Sequence, residues 1–259
     1  MAEPTFVLRD GPPALAGQVL GYCGYVEDEP APVRRREPAG TRVPVILSFG
    51  DPLTVSDGSR APTEVTSFVA GFSDTWAATE HAGRQHGVQV DLTPLGAFHL
   101  LGVPPPEVAG AVVPLDDLWG RPGASLVEQL ASASDWPRRF ALLDEVLLAR
   151  AADGPDVHPA VAWAWRQLEG SCGAVPVRLL AEEIGWSRRH FVDRFRRHVG
   201  LAPKPTARVL RFARASALLT GHRLPVGEVA ARCGYADQSH LVRECHRLAG
   251  CTPSELVDS

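Results

Sequence analysis

The sequence predicts an α+β protein of two domains: a β-rich domain completed by helices over residues 1–153, and an all-helical domain over residues 154–259. Three observations predict it. Up to about residue 120 the apolar residues come in short β-branched and aromatic runs bounded by Gly, Pro and Asp. From residue 123 they take on helical spacing and keep it. The helical half then repeats itself. With 259 residues, 45% of them hydrophobic, the chain is long enough for two ordinary cores.

The strand-like runs are "AGQVLGYCGYVED", "TRVPVILSFGDPLTVSD" and "HGVQVDLTPLG", the second interrupted by the turn signal Asp51-Pro52. "LTPLGAFHLLGV" predicts a short helix after a strand, with Thr93 as its cap and Pro94 in its first position. "GVPPPEV" reads as a rigid extended loop. "ASLVEQLASA" and "WPRRFALLDEVLLARAAD" are helical, and the second spaces Phe140, Leu143, Val146 and Leu147 into a stripe. That stripe suits either the core or a contact with a second copy of the chain. "DGPDVHP" breaks the pattern and reads as a linker.

Charge is unevenly spread. From Pro155 onward 15 Arg or Lys face 10 Asp or Glu, and before it 11 face 20. A basic segment joined to an acidic one suggests a polyanion-binding module attached to something else. No apolar run is long enough for a membrane span, and "MAEPTFVLRD" does not read as a secretory leader. Cys23, Cys172, Cys233, Cys245 and Cys251 are scattered, with no C-x-x-C pair, which fits reduced thiols in a cytoplasmic protein.

The repeat lays "VPVRLLAEEIGWSRRHFVDRFRRHVG" over "LPVGEVAARCGYADQSHLVRECHRLAG". Pro176 meets Pro225, Leu180 meets Val229, Ala181 meets Ala230, Gly185 meets Gly234 and Trp186 meets Tyr235. One residue is added at the turn of the second copy, after which Phe191 meets Leu241, Phe195 meets Cys245 and Val199 meets Ala249. Each copy reads as a short helix, a tight turn and a longer helix. The alanine lets the helices cross closely, the glycine supplies a left-handed turn, and Ser187 or Asp237 caps the second helix. This is the logic of a helix-turn-helix. Between the copies, Arg208, Arg211 and Arg214 recur every three residues beside the apolar stripe Leu210, Ala213, Ala217 and Leu218, which predicts one joining helix.

The face opposite the apolar side is informative. Opposite Phe191 lie Arg189, Asp193 and Arg196, flanked by Val192 and Arg197; opposite Leu241 lie Ser239, Arg243 and His246, flanked by Val242 and Arg247. Long hydrogen-bonding groups around one small apolar residue suit base edges in a major groove: arginine on guanine, aspartate on cytosine, valine on the thymine methyl. Two such helices held about 34 Å apart enter successive grooves on one side of a duplex.

Residues from about 160 to 257 resemble the DNA-binding domain of the AraC/XylS family of bacterial transcription regulators. The motifs are "LAEEIGWSRRHFVDRFRRHVGLAPK", "RVLRFARASALL" and "VAARCGYADQSHLVRECHRLAGCTPSEL". The resemblance implies helix-turn-helix units at about 177–199 and 226–249, a linker helix at about 204–220, and double-stranded DNA as partner. Its reading positions fall on Arg188, Arg189, Val192 and Asp193, and on Gln238, Ser239, Val242 and Arg243. It further implies an N-terminal sensor, often a cupin-like β-barrel, to which "GYCGYVEDEPAPVRRREPAG" and "GVQVDLTPLGAFHLLGV" are similar in kind. A small-molecule effector, RNA polymerase and a second copy of the chain are the further partners of such a regulator; no cofactor is implied. Three residues depart from the family pattern. Cys245 replaces a usual Phe and makes the second core smaller. Thr206 replaces a common aromatic and loosens the start of the linker helix. Asp193 stands where a basic residue is frequent, and either reads cytosine or pairs with Arg189 or Arg197.

Other constellations are weaker. Glu80, His81 and His86 lie close in sequence, but their spacing matches no metal motif and they read as a surface loop. Arg34, Arg35 and Arg36 read as a solvated loop. Ser56, Ser67 and Ser73 sit in no nucleophile elbow, and neither common phosphate-binding glycine spacing occurs. The chain is therefore read as a regulator rather than an enzyme. The alternatives are an enzyme or interaction protein with an appended nucleic-acid-binding domain, and a regulator controlled by protein contact or abundance.

Overall fold

Antiparallel strands dominate the first part of the chain. The computed structural model describes residues 5–56 and 61–258. The first four residues, part of the stretch read for a leader, and Asp57, the end of the second strand-like run, lie outside them. The chain opens on β1 (Thr5–Asp10), β2 (Val19–Asp28), β3 (Val33–Glu37), β4 (Val43–Ser48), β5 (Leu53–Ser56), β6 (Thr63–Val65), β7 (Phe68–Ala70), β8 (Ala77–His81) and β9 (Arg84–Leu92). Two short helices follow, α1 (Pro94–Leu100) and α2 (Pro105–Val108), and then β10 (Val112–Pro114).

The strands pair antiparallel in two sheets, β1-β2-β9-β4-β7-β10 and β3-β8-β5-β6. No ladder joins one sheet to the other among the described residues, so the cupin-like barrel expected from the resemblance does not close. Alternation assigns the faces. On β9, Val88, Val90 and Leu92 enter the main core while Gln85 and Gln89 face a cavity between the sheets. On β4, Val43, Val45 and Leu47 enter the core and Ile46 faces the cavity.

Three sequence readings are corrected here. The "RRRE" run is strand, not loop: β3 pairs with β8, and Arg35 pairs with Glu27. It is an edge strand whose charges protect the edge, so it carries no apolar signal. The segment holding Glu80, His81 and His86 is likewise not a surface loop. It is the end of β8, a two-residue link and the start of β9, with His81 buried. "GVPPPEV" is also corrected, because Pro104 to Val108 form a helix start with Pro105 in the first helical position.

Helices α3 (Leu115–Ser132) and α4 (Trp136–Asp153) cover the first sheet. The helical signal read from residue 123 is the second limb of α3, whose first limb is offset by a kink at Gly120 (φ 55°). Thr93 caps α1 as expected, accepting from the Gly96 N–H at 2.9 Å. The stripe of α4 is buried in the chain's own core: Phe140 stacks on Tyr22, and Trp136 lies on Gly24, where a Cβ would come within 2.5 Å of the ring.

The second part is α5 (Pro159–Gly170), α6 (Val177–Ile184), α7 (Arg188–Val199), α8 (Pro203–Thr220), α9 (Val226–Arg232), α10 (Gln238–Ala249) and α11 (Pro253–Asp258). The joining helix α8 is more deeply buried than its predicted stripe. Val209, Leu210, Phe212, Ala215 and Leu219 are buried, while Ala213 and Ala217 line the cavity. Thr206 does not loosen its start: the side chain is fully buried and the hydroxyl donates to the Ala202 carbonyl at 3.0 Å. One hydrophobic core runs from Val45 and Leu92 in the sheet through Trp165 to Phe195 and Leu241 in the helical part.

Phe195 sits fully buried in the middle of that core. The Phe195→Ala variant is expected to lose about 3–5 kcal/mol of stability in urea unfolding, the usual cost of removing a buried phenyl ring. Cys245→Ala, at the equivalent place in the second copy, removes far less volume and should cost clearly less.

Candidate nucleic-acid interface and ligand cavity

The two long helices of the repeat are built by the same local chemistry. Each short helix starts after a proline, Pro176 or Pro225. Gly185 (φ 76°) and Gly234 (φ 72°) make the left-handed turns. Ser187 accepts from the His190 N–H at 3.3 Å, and Asp237 from the His240 N–H at 2.6 Å, so both expected caps form. Trp186 meets His190 edge-on at 4.7 Å between ring centroids, and Tyr235 meets His240 at 5.2 Å. Inside, Ala181 and Ala230 are buried at the helix crossings beneath Phe191, Phe195 and Val199 in one copy and Leu241, Cys245 and Ala249 in the other. Burial raises the Cys245 thiol to about 12, so it behaves as an apolar filler.

The outer faces match position by position. From Phe191 to Val199 and from Leu241 to Ala249 the sequence of buried, half-buried and exposed residues is identical. Arg188, Arg189, Asp193, Arg196 and Arg197 are exposed on α7, and Gln238, Ser239, Arg243, His246 and Arg247 on α10. Val192 and Val242 are half-buried at the foot of each face. Asp193 forms no ion pair with Arg189 or Arg197, which removes the simplest structural role for its charge.

One member of the set is already engaged. Arg247 donates to Asp74 Oδ2 at 3.1 Å, and the same carboxylate pairs with Arg208 of α8. Arg208 also faces Glu244 at 3.8 Å. Nearby, the Ala39 N–H donates to the Leu248 carbonyl at 2.6 Å, and the Trp76 ring lies against Gly250, where no Cβ would fit. The first unit is held differently: α7 packs on α1 and α2, with Phe98 and His198 at 4.5 Å. Asp74 and Trp76 were not legible as contacts. They lie far from α10 in sequence, in a stretch without strand or helix signal.

The cavity between the sheets measures about 930 Å³. Apolar walls come from both sheets, including Ile46, Val55 and Phe68, and α8 closes one side with Phe212, Ala213 and Ala217. Its polar corner holds Glu27, Arg35, His81 and Gln85. Arg35 donates to both oxygens of Glu27, at 3.2 and 2.6 Å. His81 and His86 do not converge. His81 belongs to this corner, whereas His86 faces Phe49 and Trp136. Among the described residues no group of three His, Cys, Asp or Glu is placed to hold a metal, and no helix is long and apolar enough to cross a membrane.

Two helix-turn-helix units on one buried helix define a double helix-turn-helix domain behind a β-rich one. Residues 180–259 match the family model described as a helix-turn-helix domain, and this part of the chain is a domain of that kind. The F1 operon positive regulatory protein of Yersinia pestis is 37% identical over 71 residues, which are 27% of this chain and 24% of that protein. The chain thus aligns with about a quarter of that relative's length. The similarity of fold extends further. ToxT from Vibrio cholerae O395 superposes with a TM-score of 0.54 at 10% identity, covering 92% of this chain and 97% of ToxT. A 1.65 Å structure of ToxT from Vibrio cholerae gives 0.55, also at 10% identity, over 92% and 98%. At this identity the likeness is one of fold: the chain has the two-domain architecture of ToxT.

Three histidines tie stability to pH. Burial lowers His198, against its Nδ1–H bond to the Arg194 carbonyl at 2.8 Å. Burial and then Arg35 lower His81; burial and then Arg139 lower His86. The unfolded chain takes up these protons near the ordinary value of 6.5, before the folded one does. The stability they contribute is complete above about pH 6.5 and is lost as the pH falls through the lowered values. Chemical denaturation at stepped pH should show this loss, with a shallower slope in His198→Gln.

Proposed function

We propose that this chain is a sequence-specific transcription regulator that binds double-stranded DNA through α7 and α10 in successive major grooves, with a small-molecule effector in the cavity of its N-terminal domain. The observation that carries the reading is the repeated helix face: two capped helices with the same burial pattern and a basic, hydrogen-bonding exterior. Arg188, Arg189, Val192 and Asp193, with Gln238, Ser239, Val242 and Arg243, read bases; Arg196, Arg197, His246 and Arg247 flank them toward the phosphates. Asp193 and Arg243 occupy equivalent positions with opposite charge, so the two half-sites differ and the operator is not a palindrome. The Yersinia pestis relative is a positive regulatory protein, which favours regulation over catalysis. The domains divide between residues 153 and 154, and the protein works in the cytoplasm.

Asp74 gives the N-terminal domain a hold on the second unit. While it pairs with Arg247, that guanidinium is not available to a phosphate. The cavity wall includes Ser73, Thr75 and Trp76, the neighbours of Asp74 in sequence, so an occupant of the cavity would act on the same loop.

Selection of bound duplexes from a random pool should return two unlike half-sites about one helical turn apart. Arg189→Ala and Arg243→Ala should each cost about 1–3 kcal/mol and relax preference at one base pair, in different half-sites. Variants that select the same sequences as the parent would refute the assigned faces. Affinity should also fall steeply with salt, as counterion release requires.

Asp74→Ala should raise DNA affinity by up to about fivefold, the worth of an exposed ion pair. In the Asp74→Ala, Arg247→Ala double variant that gain should vanish. Fluorescence anisotropy on the selected duplex reads both.

A further inference from the structure

The polar corner of the cavity contains a donor that no protein group pairs with. His81 Nδ1 accepts the Gly83 N–H at 3.2 Å, which leaves the ring proton on Nε2. Nε2 has no hydrogen-bond partner, and the side chain is only 2% exposed. Glu27 Oε2 lies 3.8 Å away, on a side chain 5% exposed. That gap is too long for a direct hydrogen bond. One oxygen atom at ordinary hydrogen-bond distance from both spans it. A buried donor left unmade is costly, so the arrangement favours an occupant that completes it.

The charges around the gap restrict the occupant. Arg35 is committed to both Glu27 oxygens, and Arg42, in the same wall, to Asp91 at 2.6 Å. No lysine lines the cavity. A carboxylate placed at the gap would face the Glu27 carboxylate without a free cation among the described residues. An ammonium would face the Nε2–H donor of a histidine that burial and Arg35 keep neutral. A ketone oxygen accepts from His81 but has no proton for Glu27. A hydroxyl does both, and Ile46, Val55, Phe68 and Phe212 give the rest of the molecule apolar wall to lie on.

We propose that this cavity takes a neutral small molecule with an apolar body and a hydroxyl, whose oxygen accepts from His81 Nε2–H and donates to Glu27 Oε2. The proposal rests on the reading of the cavity as the effector site. It names the chemical class of that effector and the two residues that select it.

The test uses the full chain and four probes on one skeleton: menthol, menthone, menthylamine and the matching menthane carboxylate. Calorimetry and thermal shift should find menthol binding at least about tenfold more tightly than the other three, because only it satisfies both buried groups. His81→Phe should reduce menthol to the level of menthone, and His81→Gln, which keeps a donor, should restore part of the preference. Thermal unfolding of each variant alone establishes that it folds. Equal or tighter binding of the carboxylate or the amine, undiminished menthol binding by folded His81→Phe, or no binding of any probe would overturn the proposal. Anisotropy on DNA separates it from the reading beneath it. Menthol bound through His81 with unchanged DNA affinity would leave the ligand class standing and remove the effector role. A carboxylate that binds and shifts DNA affinity would do the reverse.

Discussion

Helix α8 is enclosed by its neighbours, and the arrangement of the molecule follows from that burial. Val209, Phe212, Ala215 and Leu219 are at most 1% exposed. The helix packs against α5, α7, α9, α10 and α11, and its remaining flank closes the cavity. A helix so enclosed cannot turn about its axis without opening several contacts together, because protein interiors are close-packed. It therefore fixes the spacing of the two helix-turn-helix units. It also makes the cavity a property of both domains, since removing the helical domain would remove a wall. Arg211, which donates to the Gly173 carbonyl at 3.1 Å and lies over the Tyr235 ring, ties the helix to both sides.

The repeat solves one packing problem twice with different materials. The first unit fills its centre with two phenyl rings, Phe191 and Phe195, at 5.7 Å between centroids. The second uses Leu241 and Cys245, yet both residues are as fully buried as the rings. Closure comes from the fully buried Leu248 and the buried Cys251 and Leu256, supplied by the end of α10, the link after it and α11. A smaller side chain at the centre is thus matched by an extra element at the edge. What the two units share is the glycine turn, the cap and the aromatic that rests on the first-turn histidine.

The helical half was legible in the sequence because its determinants are local. Capping residues, turn glycines and a 3.6-residue period act over a few positions, and Ser187, Asp237, Gly185 and Gly234 do what their types dictate. The β-rich half was legible only where strands are apolar, as in β2, β4 and β9. β3 is a charged edge strand, β6 and β7 have three residues each, and β8 ends in a buried histidine. None of these produces alternation strong enough to read. Burial of His81 depends on a partner sheet and on Glu27, both distant in sequence. The open barrel was beyond reach for the same reason: sheet closure is set by which edges meet.

The two units are attached to the N-terminal domain by interactions of different kinds, and this decides which can move. The α7 unit is anchored by burial, with Val199 and Gly200 packed under α1 and α2 and His198 against Phe98. Moving it exposes apolar surface and a neutral histidine, and the cost grows with every side chain uncovered. The α10 unit is held mainly by Asp74, Arg208, Arg247 and one backbone hydrogen bond, with Trp76 against Gly250 as the apolar contact. Arg247 is 48% exposed, so water can replace its carboxylate at little cost. A phosphate offers that guanidinium a stronger partner than water does. Displacement between the domains is therefore cheapest at α10, and under the proposed function DNA would compete for the group that holds it there.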